Sequence, residues 1–488
     1  MSKKRKRNDD PFNGPIFDLF DKKIYLVDNY FSIPKSILKI GELESELTVA
    51  NKLKHFKTHK PLPPVKAFKY HGNRIHVPKR KGYEFIKANN LEYVDIQESG
   101  ESSKHLNDIQ VTLDEENRNQ VSAYNAIMDS LYQYGGASLS LPPGDGKTEV
   151  ALKASETLKT KVAVLAHNKT VIEAWEARIP KRFPGAKIGY LMNKIYNYKD
   201  CDIVIISIPS LVRGKYSRDI MKQFGFVIID EMHHISSETW SKSFNYLCAK
   251  YILGLSGTPY RKDGMEKIFE AYVGPVTFRT IRKYTTKVRV HLYKLEYDQP
   301  ELIVDKKEDM NLPQILNNLA TDTKRNASIV SHLENLAKTD RQTLFFSLRV
   351  SHLIILKEMI ALYYPHIKTS LYIGNEKESD DFETVKKSQW IFSTIGKGSE
   401  ALNLPTLSNV SILMPKLEEY QAISRIFREK ETRIIPEIIA FYDPYFHWPK
   451  LFWTHVRFYQ KEGYELVWHF HLEDPKKKFD NRPCPFKI

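Results

Sequence analysis

Twice along the chain, short β-rich runs alternate with longer helical segments, and this alternation limits the fold more than any other feature. The first series is "ASLSL" (137–141), "KVAVLAH" (161–167), "DIVIIS" (202–207), "FVIID" (226–230) and "YILGLSG" (251–257). After "VGPVTF" (273–278) the pattern is less regular to about residue 320. It resumes with "QTLFFS" (342–347), "QWIFST" (389–394), "NVSILM" (409–414) and "EIIAFYD" (437–443). Short apolar strands separated by helices belong to parallel sheets covered on both faces. The expected fold class is therefore α/β, with two such units in series. At 488 residues the chain exceeds what one hydrophobic core supports, and its 42% hydrophobic content is enough for more than one.

Lys and Arg number 74 against 59 Asp and Glu, a net charge of +15. That excess points to a polyanionic partner, nucleic acid before membrane. No apolar run approaches the roughly 20 residues that span a bilayer, and the N-terminus is charged rather than signal-like, so a soluble intracellular protein is expected. Three cysteines (Cys201, Cys248, Cys484) lie far apart with no C-x-x-C, which indicates neither a disulfide framework nor a zinc site. The basic run Lys3 to Arg7 reads as a nuclear import signal or a nucleic-acid patch, and equally as a solvated tail. Residues 11–110 carry no catalytic constellation. Their "KPLPPVKAFKYHGNRIHVPKRKGYEF" mixes strand-like runs with turns and reads as an accessory domain.

Chemistry concentrates in two places. In "ASLSLPPGDGKTEVALKASETL" a strand leads into a Gly-bearing turn and then a helix with Val150, Ala151, Ala154 and Leu158 on one face. A phosphate loop needs this setting, because backbone N–H groups at the helix N-terminus point at phosphates and the helix dipole favours their charge. Lys147 would reach the β- and γ-phosphates and Thr148 would coordinate Mg²⁺. Pro143, Gly144, Asp145, Gly146 and Glu149 complete the loop. Leu141 stands where the full pattern has its first glycine and is expected to be strand core. Asp145 would put a negative charge beside the phosphates, so its side chain is expected to face solvent. The second place is "FVIIDEMHH" (226–234), an apolar strand ending in adjacent carboxylates. Asp230 can hold the Mg²⁺ while Glu231 orients and deprotonates the attacking water. His233 and His234, without further ligands at suitable spacing, make a poor metal pair.

Taken in order, these pieces resemble the motifs of the superfamily 2 helicases and translocases. The branch is that of the eukaryotic excision-repair and promoter-melting helicase, the phage recombination helicase and the poxvirus transcript-release helicase. Phe226 to His233 resembles the DExH motif, and Gln120 lies where the family's adenine-reading glutamine is expected. "VAVLAHNKTVIEAWEARI" (162–179) resembles motif Ia; Trp175 matches its Gln-Trp, with Ala174 in place of Gln. "ILGLSGTPYRKDGM" (252–265) resembles the branch's Gly-Leu-[ST]-[AG]-Thr-Pro-x-Arg-x-Asp-Gly. "TLFFSLRVSHL" (343–353) is similar to motif IV. "STIGKGSEALNLP" (393–405) is similar to motif V, with Ala401 and Asn403 in place of Gly and Asp. "QAISRIFREK" (421–430) resembles motif VI, with Ser424 in place of Gly. The two ends of the chain resemble those of members from large DNA viruses.

The resemblance implies two tandem RecA-like domains with parallel sheets and a small N-terminal accessory domain. The implied boundaries are a basic tail at 1–10, the accessory domain at 11–110 and the ATP-binding RecA-like domain at 111–285. A linker at 286–320, the second RecA-like domain at 321–445 and an aromatic, basic extension at 446–488 follow. It implies Lys147, Asp230, Glu231, Arg425 and Arg428 as catalytic, with Gln120 and Gln421 joining the loop in binding ATP. His233, Ser256 and Thr258 would couple ATP state to nucleic-acid grip, and Arg261, Ser399 and Glu400 would touch the polynucleotide. ATP and Mg²⁺ are the implied cofactors. DNA is the implied partner, with RNA as the alternative, alongside transcription or replication machinery. A monomer acting in the nucleus, a viral factory or a virion is expected. The replacements at 401, 403 and 424 leave open a nucleic-acid-binding scaffold with a weakened ATPase. In the extension, Trp448, Phe452, Val456 and Tyr459 have helical spacing and suit packing on the second domain, whereas interleaved aromatics and cations also suit nucleic-acid contact by way of Lys476, Lys477 and Lys478.

Overall fold

The computed structural model describes residues 22–37, 40–52, 62–106, 111–115, 119–142, 144–214, 216–237, 239–257, 259, 263–280, 287–298, 312–374, 379–395, 397–398, 404, 406–414, 434–445 and 448–470. The chain divides into two compact units, Met1–Arg282 and Lys283–Ile488.

The first unit begins with a small sheet built from β1 (Tyr25–Val27), β2 (Tyr30–Pro34), β5 (Lys69–His71), β6 (Arg74–Pro78) and β7 (Val94–Asp95), in the order β5-β6-β2-β1-β7. Helix α1 (Ile40–Glu46) and the short pair β3 (Thr48–Val49) and β4 (Val65–Lys66) lie within it in sequence, and α2 (Lys79–Ala88) packs on the sheet. Gly82 is where α2 meets Phe31: a Cβ there would sit 2.3 Å from the Phe31 ring, so only glycine allows the approach.

The larger sheet follows. Its strands are β8 (Gly136–Ser140), β9 (Val162–Ala166), β10 (Ile188–Met192), β11 (Ile195–Asn197), β12 (Ile203–Ser207), β13 (Phe226–Ile229), β14 (Tyr251–Ser256) and β15 (Phe278–Arg279). They are ordered β11-β10-β12-β9-β13-β14-β8-β15, all parallel except the β10–β11 hairpin. Side chains alternate between two cores. Val162, Val164, Ile203, Ile205, Phe226, Ile228, Leu253 and Leu255 face one, with residues of α3 (Gln120–Tyr134), α4 (Lys147–Leu158) and α5 (Lys169–Arg182). Ala163, Leu165, Val204, Ile206, Val227, Ile229 and Ile252 face the other, with α6 (Ile208–Val212), α7 (Arg218–Lys222) and α8 (Glu266–Tyr272). Burial on both faces is why these strands read as unbroken apolar runs.

The accessory sheet docks on this core through apolar packing against Ala271 and Tyr272 of α8 and through polar contacts. Lys79, 1% exposed, donates from Nζ to the Lys250 carbonyl at 2.7 Å, Arg218 pairs with Asp28, and the Arg80 guanidinium lies 3.6 Å from the Tyr134 ring centroid. Burial pulls the Lys79 amine down to about 7 and pushes the Asp28 carboxyl up to about 6.

The second unit holds a seven-stranded parallel sheet. Its strands are β16 (Arg289–Lys294), β17 (Gln342–Ser347), β18 (Thr369–Tyr372), β19 (Trp390–Thr394), β20 (Leu407–Ile412), β21 (Glu437–Tyr442) and β22 (Glu465–Trp468), in the order β18-β19-β17-β20-β21-β16-β22. Its helices among the described residues are α9 (Leu312–Thr321), α10 (Thr323–Ser331), α11 (Glu334–Ala337), α12 (Val350–Tyr363), α13 (Phe382–Lys387) and α14 (Trp448–Lys461). Two expectations need correction here. Residues 286–320, read as a linker, contain β16, which pairs parallel with β21 and β22. Residues 446–488, read as an extension, contain α14 and β22; Phe452, Val456 and Tyr459 are buried in the sheet's core and Trp448 in a neighbouring cluster. The helical spacing of that aromatic stripe therefore reflects packing, while Lys476, Lys477 and Lys478 lie outside the described residues.

Candidate functional site

The order β9-β13-β14-β8 sets the C-terminal ends of β8, β13 and β14 side by side, and the residues of interest follow directly from those ends. Open parallel sheets bind ligands in the crevice beyond these ends.

Just past the end of β8, the Leu141 side chain is fully buried in the core. Gly144 (φ +88°) and Gly146 (φ +84°) take left-handed conformations that other residues adopt only with strain. Gly146 caps α4 without a side chain, which leaves the helix end open to an anion. A Cβ at Gly146 would also fall 2.2 Å from Gln120 Nε2. Lys147 Nζ donates to the Leu141 carbonyl at 3.0 Å, folding the lysine back over the loop. Thr148 sits in the first turn of α4.

Two loop residues differ in detail from expectation. Asp145 is 6% exposed, so its carboxylate is enclosed rather than turned to solvent. Its carbonyl accepts from Gln120 Nε2 at 2.9 Å, while Gln120 Oε1 accepts from the Asp114 backbone N–H at 2.9 Å. Gln120, 2% exposed, thus braces the loop from below with both ends of its amide. Glu149 turns away from the cradle because its carboxylate pairs with Arg178 (2.5 Å) and Arg182 (2.7 Å) on α5.

At the tip of β13, Asp230 Oδ1 accepts from the Glu231 backbone N–H and Oδ2 from the Trp175 indole N–H, each at 2.9 Å. Burial raises the Asp230 carboxyl above its usual range, and the neighbouring Glu231 charge adds to that; the indole N–H and the Lys147 ammonium oppose them. Lys147 and Asp230 are therefore electrostatic neighbours. Glu231 adopts φ +47°, a left-handed conformation costly for a residue with a Cβ, of the kind that recurs where a functional side chain must be aimed. His233 Nδ1 lies 3.0 Å from Ser256 Oγ and 3.4 Å from Glu231 Oε2, so one imidazole joins the end of β13 to the end of β14. His234 lies between His233 and His167, its ring tilted to each at 4.2 and 4.1 Å between centroids. Among the described residues no group of His, Cys, Asp and Glu forms a metal cluster.

Of the residues singled out from sequence, Gln120, Gly144, Asp145, Gly146, Lys147, Thr148, Asp230, Glu231, His233 and Ser256 gather around these strand ends. Pro143, Thr258, Arg261, Ser399, Glu400, Gln421, Arg425 and Arg428 lie outside the described residues. Sequence reasoning missed the indole bond to Asp230 and the two arginines on Glu149. Their trace was the spacing of Trp175, Arg178 and Arg182, which are i, i+3 and i+7 on one helix face.

A glycine loop carrying an ammonium thus stands beside paired carboxylates, one of which a histidine links to the next strand. Residues 114–261 match the family described as "Type III restriction enzyme, res subunit". Over 90% of its length the chain is 27% identical to 85% of a protein of Acanthamoeba polyphaga mimivirus whose name describes it as an ATP-dependent RNA helicase. Over 31% of its length it is 34% identical to a third (33%) of a protein of Escherichia phage T5 named as a helicase. Over 28% it is 32% identical to 30% of the DNA 3'-5' translocase XPB2 of Sulfurisphaera tokodaii. By these similarities the chain is an ATP-dependent helicase that acts on nucleic acid. No described helix is long and apolar enough to cross a membrane.

Proposed function

We propose that this helicase acts on DNA, with ATP hydrolysed at the ends of β8, β13 and β14. The observation that carries the reading is the Asp230–Glu231 pair, set beside the Lys147 ammonium and joined through His233 to Ser256. In this reading the uncapped start of α4 and Lys147 hold the phosphates. The Thr148 hydroxyl and the Asp230 carboxylate are hard oxygen donors of the kind Mg²⁺ takes, and would hold it. Held there, Mg²⁺ would supply positive charge against the phosphate oxygens. Glu231 orients the attacking water and accepts its proton. His233 passes the position of Glu231 to Ser256, and Thr258 and Arg261 carry it on to the polynucleotide with Ser399 and Glu400. Arg425 and Arg428 neutralise charge developing on the γ-phosphate, and Gln421 contributes to nucleotide binding. Gln120 supports the loop in whatever contact it makes with the base.

Grip through phosphates suits the +15 charge and permits stepping on any sequence. The segment "LSGTPYRKDG" (255–264), with its likeness to the DNA-directed branch, favours DNA. The name of the mimivirus relative favours the RNA reading. A role beside viral transcription machinery, in a nucleus or viral factory, fits either. Hydrolysis measured without polynucleotide and with single-stranded RNA, single-stranded DNA and forked DNA decides between them. The largest stimulation is expected from DNA; stimulation by RNA alone overturns the substrate, and unchanged hydrolysis in Asp230→Ala overturns the site.

A further inference from the structure

Helix α5 supplies none of the residues assigned to nucleotide, water or metal, yet one of its faces grips both arms of the site. Arg178 and Arg182 hold Glu149, the neighbour of Thr148, and Trp175 holds Asp230. Trp175 is 1% exposed, and an indole has a single polar atom, a donor. That one donor is directed at Asp230 Oδ2 at 2.9 Å, although an aromatic ring packed here for volume alone needs no N–H.

We infer that Trp175 is a positioning residue for ATP hydrolysis: its indole N–H fixes the plane of the Asp230 carboxylate in the orientation that receives Mg²⁺. The inference rests on the reading of Asp230 as the metal-holding carboxylate. The terminal torsion of an aspartate is broad, so the rotamer alone does not fix where its oxygens point. Here the Glu231 N–H engages Oδ1 and the indole engages Oδ2, and two bonds to opposite oxygens fix the plane. A carboxylate has about four lone-pair sites, so each oxygen keeps one for a cation or a water on it. Hydrogen bonds of this kind behind a metal ligand typically cost 10–100-fold in metal affinity when removed. The same helix, through Glu149, ties the first turn of α4 to this carboxylate, so the hydroxyl of Thr148 and the carboxylate of Asp230 share one brace.

The test removes the donor and keeps the shape. Trp175→Phe keeps an aromatic ring, and incorporation of 3-benzothienylalanine at 175 replaces N–H by sulfur in the same bicyclic outline. The readout is equilibrium binding of a fluorescent ADP titrated with Mg²⁺, without turnover. Both replacements are expected to raise the half-saturating Mg²⁺ about tenfold, while affinity without metal stays within about twofold and the melting temperature of the benzothienyl protein stays near the parent's. Should Trp175→Phe fail to fold, the benzothienyl protein carries the test alone; 5-fluorotryptophan, which keeps the N–H, is expected to behave as parent. An unchanged magnesium dependence in the benzothienyl protein overturns the role of Trp175. Asp230→Ala distinguishes the two failures: if it too leaves the magnesium dependence unchanged, the metal assignment falls and this inference with it.

Discussion

Each of the two parallel sheets places an aspartate immediately after a central strand, and the two are treated in opposite ways. Asp443, after β21, is 1% exposed and pairs with Arg325 Nε at 2.9 Å, while Tyr297 O–H (2.7 Å) and the Tyr445 N–H (3.1 Å) donate to its other oxygen. Arg325, fully buried, also donates to the Leu413 carbonyl at the end of β20. Beside it His352 bonds to Ser347 Oγ and Asn326 Oδ1, its imidazole held neutral well below its usual pKa by burial and by the Arg325 charge. Asp230, after β13, has an indole and an amide N–H instead of a guanidinium. A carboxylate closed by its own arginine binds strand ends together. One oriented by an indole and an amide N–H is held in plane without a guanidinium closing it.

The sharpest way to break this contrast is to disable the first site chemically while leaving its shape. Glu231→Gln keeps the geometry but cannot accept a proton, so turnover should fall by roughly 10²–10⁴-fold with nucleotide binding retained. Lys147→Ala should abolish hydrolysis while polynucleotide affinity stays within a few-fold. Turnover that persists in either variant, measured as phosphate release, returns the site to an ordinary polar turn.

On the other side, Arg325→Met leaves Asp443 buried without its cation and should cost about 3–5 kcal/mol in urea denaturation. The double variant Arg325→Met/Asp443→Leu should recover part of that loss, because removing both charges removes the desolvation penalty. A single-variant loss under about 1 kcal/mol would mean that the second aspartate is not a structural pair.

A smaller, pH-dependent effect is expected where the accessory sheet docks. The folded-state amine of Lys79 is lowered from 10.5 to about 7. Between those values the unfolded chain binds the proton that the folded chain refuses, so stability should rise as pH climbs from about 7 towards 10.5, with the full penalty present below about 7. Thermal melts of parent and Lys79→Met across that range check the sign, since the variant should lose this slope. The smallest effect belongs to Glu149→Gln. Its arginine partners are well exposed, so stability should drop by about 1 kcal/mol or less and hydrolysis change little. A collapse of activity would place Glu149 back in the cradle.

Much of this was legible in the residues. The strand runs from "ASLSL" to "YILGLSG" become β8, β9, β12, β13 and β14. Lys147 lies beside Asp230, and His233 bonds to Ser256. What escaped is instructive. The β16 segment "RVHLYK" alternates Val290 and Leu292 with Arg289 and His291. That half-buried signature differs from the unbroken apolar runs around it, and its sheet partners lie more than a hundred residues downstream. The enclosure of Asp145 and the turning of Glu149 toward α5 escaped because the direction of a loop or first-turn side chain depends on which neighbour packs over it. No local pattern records that the neighbours are Gln120 and Arg178.

The sequence by itself determined the things that local periodicity and backbone chemistry dictate. Apolar runs flanked by helices commit the chain to two parallel sheets, glycines at 144 and 146 permit the left-handed turn, and adjacent carboxylates end a buried strand. Tertiary structure decided everything that depends on which strand lies beside which. The insertion of β14 between β13 and β8 brings Ser256 to His233, and the packing of α5 over the same strand ends gives Asp230 an indole rather than a guanidinium. The physical reason is range: helix and strand patterns are written within a few residues, whereas a carboxylate's charge, burial and partners are set by side chains that only the folded sheet brings within hydrogen-bonding distance.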